Sequence, residues 1–85
     1  MSSVKPSSEI EKASRRAIEA LYGRDIQDFK IRVVFPYRGT PEQKREYSDV
    51  QVTFLLNNLQ YTVDLVIEDN GQITNARLID TMTPL

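Results

Sequence analysis

The chain has 85 residues, a formal net charge of −1, 40% hydrophobic and 27% charged residues, and neither histidine nor cysteine. That length supports one hydrophobic core and no second domain, and the apolar and charged shares are those of a folded globular chain. The missing residue types exclude disulfides, thiolate metal sites, Ser-His-Asp and Cys-His catalytic groupings and nearly every zinc site.

Charge is unevenly distributed. Residues 1–46 hold ten of the eleven Lys and Arg against seven acids, a balance of +3, and the remainder holds Arg77 against five acids, a balance of −4. A basic half can be the footprint of an anionic partner, but the acids interleaved here make an ordinary solvated surface the stronger reading. The first residues, MSSVKPSS, are polar, no glycine follows Met1, and the longest apolar runs are Val33-Val34-Phe35 and Phe54-Leu55-Leu56. Neither a signal peptide nor a membrane span is expected, and the cytoplasm is the expected location.

Residues 1–7 read as a flexible tail, residues 8–82 as a single domain and residues 83–85 as a short C-terminal tail. Ser8-Glu9-Ile10-Glu11 fits the capping box that starts a helix, in which serine and glutamate each satisfy an otherwise orphaned N–H. Ile10, Ala13, Ala17, Ile18 and Leu21 then recur at helical spacing as one apolar stripe, and Gly23 is placed to end the helix in the left-handed conformation. Phe29 to Phe35 alternates as a strand with Phe29, Ile31, Val33 and Phe35 on one face, and Pro36 is expected to stop it. Between residues 36 and 46, Thr40-Pro41-Glu42-Gln43 carries a second helix-start signal, read as one helical turn within a loop.

Tyr47 to Leu56 and Leu59 to Ile67 both alternate, and Asn57-Asn58 between them suits a two-residue turn with positive φ. That turn predicts the pairs Leu56/Leu59, Phe54/Tyr61, Val52/Val63 and Val50/Leu65, all on one apolar face; a slip of one residue would put half of them in water. Asn70-Gly71 predicts a further two-residue hairpin turn closed by Asp69 and Gln72. Its register sets Ile67 opposite Thr74, Leu65 opposite Ala76, Val63 opposite Leu78 and, on the outer face, Asp64 in an ion pair with Arg77. The acids of Glu68-Asp69-Asn70-Gly71 lack the ligand spacing of a calcium loop, so the stretch reads as a turn, and no metal or cofactor is expected.

The expected fold is α+β in two layers, one N-terminal helix packed on a four-stranded antiparallel meander. The helix with spaced alanines, the strand after it, and the paired runs Tyr61-Thr62-Val63-Asp64-Leu65 and Asp69-Asn70-Gly71-Gln72-Ile73 resemble the PepSY-like domains across residues 10 to 80. The resemblance implies a domain that binds or restrains partner proteins, commonly in exported or membrane-anchored chains, and transfers no functional residue.

Three functions follow from these readings. The first is a non-enzymatic interaction module that offers a sheet surface or edge to a protein partner or to itself. It would use the last strand, where Ile73, Arg77, Ile79 and Met82 are the candidate contacts, while Lys30, Arg32 and Pro36 discourage pairing at the other edge. Ile79 is expected on the outer face beside Thr62. The second is weak, non-specific nucleic-acid binding through Lys12, Arg15 and Arg16 on the helix with Arg38, Lys44 and Arg45 in the 36–46 loop. Against it, the expected outward sheet residues include no aromatic on which a base could stack; Tyr37 and Tyr47, flanking the loop, read as its anchors. An enzyme is the third class, with Asp49 and Asp64 the best acids, but both are expected on an open, solvated face that shifts no pKa.

Overall fold

The computed structural model describes residues 8–42 and 46–83. Helix α1 (Ser8–Tyr22) starts at the serine of the capping-box pattern. It ends at Gly23, whose φ of +96° is the left-handed conformation and whose N–H donates to the Glu19 carbonyl at 2.9 Å. Strands β1 (Gln27–Tyr37), β2 (Tyr47–Leu56), β3 (Leu59–Glu68) and β4 (Ile73–Met82) form one antiparallel sheet in the order β1-β2-β3-β4. The helix packs on one face of this meander, so the architecture is two-layer α+β. The tail at residues 1–7, Gln43 of the expected helical turn, and Lys44 and Arg45 lie outside the described residues; Pro41 and Glu42 form a bend.

The central hairpin has the register expected from its turn. Asn57 and Asn58 have φ of 53° and 66°, as a primed turn requires, and Leu56/Leu59, Phe54/Tyr61, Val52/Val63 and Val50/Leu65 are all paired. Ile18 meets these strands in the core, where Val50, Val52, Phe54, Val63 and Leu65 are buried to within 1% of complete. Tyr22 and Tyr61 flank Phe54 with ring centroids at 5.1 and 5.2 Å, closing one end of the core with aromatic contacts.

Four expectations are corrected. In β1 a bulge between Ile31 and Val33 inserts one residue, so Val34 faces Val50 in the core, while Val33 and Phe35 fall opposite Gln51 and Asp49 on the outer face. Phe35 is 61% exposed as a result. β1 also continues through Pro36 to Tyr37, which an edge strand permits because the N–H that proline lacks has no ladder partner on the open side. Leu21, counted in the helix stripe, is 59% exposed, and Ser14 takes a core position instead with no exposed surface. The last turn, finally, is a three-residue loop. Gly71 N–H donates to the Glu68 carbonyl and Glu68 N–H to the Gln72 carbonyl, both at 2.8 Å, and Gly71 has φ of +87°, giving a type I turn with a glycine bulge.

That longer loop pairs Ile67 with Ile73 in place of Thr74, and a bulge in β4 then restores Leu65/Ala76, Val63/Leu78 and Asp64/Arg77 as expected. A second β4 bulge, after Leu78, sets Asp80 opposite Thr62, so Ile79 is the inserted residue and has no place beside Thr62.

Ser14 supplies a first test of the packing. Its hydroxyl is buried without a hydrogen-bond partner among the described residues, a cost that the surrounding side chains do not offset. Ser14→Ala should therefore raise the unfolding free energy by about 1 kcal/mol, helped by the better helix propensity of alanine. Urea titration reads this directly, and a loss of stability would show that the hydroxyl holds a bond within the native core.

Candidate functional site

The helix covers the sheet unevenly. Ile18 and Ser14 point into the core, but β4 is exposed from Thr74 to Met82, on both faces. Beside it, Ala13, Arg16, Ala17, Ala20 and Leu21 of α1 and Gly71, Ile73, Thr74, Asn75 and Ala76 at the start of β4 line a groove of about 480 Å³. The floor is the helix-facing side of a strand whose outer edge has no neighbour among the described residues, because β4 ends the sheet. Small alanine side chains on the helix leave this space open, and Leu78, 47% exposed and opposite the core residue Val63, lies beyond the groove on the same face of β4.

Of the predicted contact residues, Ile73 is half-buried at the head of the groove, while Arg77, Ile79 and Met82 are exposed along the edge. The structure adds Leu21 and Leu78. Sequence periodicity placed both in the core; helical spacing alone cannot say where the sheet ends beneath a helix. Leu21, Leu78, Ile79 and Met82 are 59%, 47%, 45% and 55% exposed, four of the seven large hydrophobic residues with the most open surface among the described residues.

The outer sheet face has its own chemistry. Register places Val33, Gln51, Asp64 and Arg77 in one row across the sheet and Phe35, Asp49, Val66 and Asn75 in the next. Asp64 is only 8% exposed there, which corrects the expectation of a freely solvated carboxyl. Burial, a hydrogen bond with Asp49 and the charge of Asp49 push its pKa up to about 6, against a smaller opposing pull from Arg77. Arg77 is opposite Asp64 as expected, but among the described residues no ion pair reaches it; the carboxyl pairs with Asp49 instead. One oxygen of that second carboxyl, Asp49 Oδ1, is buried with no partner among the described residues.

This face also carries aromatic rings, contrary to expectation. Phe35 lies opposite Asp49, and Tyr37 stacks on Tyr47 across the β1/β2 ladder at 4.8 Å, where the two rings anchor the strand ends at the loop. Of the described basic candidates, Arg38 alone shares a cleft with the two tyrosines. Arg15 on the helix is held by Glu19 at 3.4 Å and lies over the Phe29 ring at 5.6 Å. Arg16 lines the β4 groove, and Lys12 is exposed on the helix. Arg38 lies in a separate cleft of about 500 Å³, with Glu9, Glu46, Glu68 and Asp69 also in its wall. Among the described residues, the helix cations of the nucleic-acid alternative and Arg38 thus line different surfaces, and Arg15 and Arg38 stand beside acids.

Glu68 to Gly71 is a turn whose polar groups are used internally: Asn70 Oδ1 accepts from Gln72 N–H at 2.9 Å, and Glu68 Oε2 accepts from the Thr74 hydroxyl at 2.7 Å. Among the described residues no cluster of three acids could hold a metal ion, and no helix is long and apolar enough to cross a membrane.

Fold and site together define a small α+β domain with an open sheet edge and an apolar groove alongside it. No family model, curated protein or solved structure matches the chain.

Proposed function

We propose that the protein is a non-enzymatic interaction module that receives another polypeptide along β4 and in the groove between β4 and α1. The observation that carries this reading is the coincidence of an unpaired strand edge with Leu21, Leu78, Ile79 and Met82, all about half exposed. An added strand would satisfy the free backbone groups of β4, and side chains on its helix-facing side would enter the groove. The likeness to PepSY-like domains points the same way, since those bind or restrain partner proteins.

Affinity capture from native extract, using the parent and a Leu78→Lys variant side by side, tests the site. Leu78 is half exposed, so the substitution leaves the core intact while placing a charge on the helix-facing side of β4 next to the groove. Polypeptides retained by the parent should be lost with Leu78→Lys and kept with Phe35→Ala on the opposite face. Equal retention by all three proteins would put the binding surface elsewhere.

A further inference from the structure

We infer that the polypeptide received at this edge is a second copy of the chain, its β4 antiparallel to the first about a two-fold axis through the bulge at Leu78 and Ile79. The inference rests on the reading of β4 as the binding edge and adds the partner and the register.

β4 carries two charges, Arg77 and Asp80. Three residues apart, they would normally face opposite sides of a strand. The bulge after Leu78 changes this: Arg77 is opposite Asp64 and Asp80 is opposite Thr62, both outer-face positions of β3, so the two charges project from the same face. The bulge therefore sets a cation and an anion one strand position to either side of a single point.

An isologous pair makes use of that arrangement. With the axis at the bulge, Arg77 of each copy is opposite Asp80 of the other, forming two identical ion pairs. An axis at Arg77 would instead set arginine against arginine, and one at Asp80 would set aspartate against aspartate; like charges directly opposite are unfavourable. The Arg77 guanidinium makes no ion pair within the described residues, and its charge acts on Asp64 from the opposite strand position. On the helix-facing side the same register brings Thr81 of the second copy beside Ala76, under the alanines of α1, and places both Leu78 side chains next to the axis. A bulge ordinarily deters edge pairing by breaking the row of donors and acceptors. Here each bulge meets its symmetry mate, so the strands stay in step on both sides of it.

Charge reversal tests the register. Arg77→Asp and Asp80→Arg should each dimerise at least roughly tenfold more weakly than the parent, because each replaces two favourable pairs with two repulsive ones. Mixed in equal amounts, the two variants should recover association, since every facing pair is then Asp with Arg. Sedimentation velocity across concentration reads all four samples. Arg77→Asp adds a carboxylate near Asp64 and Asp49; should it fail to fold, the series parent, Asp80→Asn, Asp80→Arg must weaken in that order. A parent that is monomeric at about 1 mM overturns the second copy as partner, while the capture experiment still decides whether β4 binds another protein. A dimer unaffected by charge reversal overturns the register, and a dimer also unaffected by Leu78→Lys overturns both readings.

Discussion

Phe54→Ala should cost about 3–5 kcal/mol, while Phe35→Ala should change stability by less than about 1 kcal/mol. Phe54 is 1% exposed and makes ring contacts on two sides, with Tyr22 and Tyr61. Truncation there removes transfer free energy and leaves a cavity that the β2/β3 hairpin, fixed by its primed turn, cannot close. For a domain of this size the lost stability is a large fraction of the total, and the thermal midpoint should fall by roughly 12 °C or more. Phe35, on the outer face through the β1 bulge, has little buried surface to lose. Calorimetry of the two variants separates the registers. Equal, large losses would mean that Phe35 faces the core and that the bulge is absent.

Asp64→Asn should stabilise the protein at neutral pH by about 2 kcal/mol and have almost no effect near pH 4. The carboxyl titrates near its ordinary value of 3.8 in the unfolded chain and at about 6 in the folded one, raised first by burial and then by Asp49. A raised carboxyl pKa means that the folded state binds the proton more tightly. Its contribution to stability is thus present below about pH 4 and lost as pH rises through about 6. The amide keeps a hydrogen-bonding side chain beside Asp49 and carries no charge to desolvate, so the variant should lack this decline. Urea unfolding of both proteins from pH 4 to pH 8 gives the difference, in which Asp49, hydrogen-bonded to Asp64, also takes part. A difference that is constant with pH, or largest at pH 4, would show that Asp64 is ionised without penalty in the fold.

The sequence by itself determined the elements, their order and the register of the central hairpin. These are local properties: the helix runs from Ser8 to the Gly23 that ends it, and two asparagines that accept positive φ lock β2 to β3 residue by residue. The Asp64/Arg77 and Leu65/Ala76 pairs agree with the expected register only because the bulge at Thr74 offsets the extra residue of the turn. What local pattern could not supply was where an extra residue would enter a strand. Val33-Val34-Phe35 offers an apolar side chain to either face, and only the space opposite Val50 selects Val34. The three-residue turn at Asp69 to Gly71 and the two β4 bulges are likewise settled by fitting the strand ends together. The exposure of Leu21 and Leu78, the near burial of Asp64 and the common face of Arg77 and Asp80 all follow from those fits. Each depends on which chain segment lies alongside, a relation between residues far apart in sequence that only tertiary packing decides.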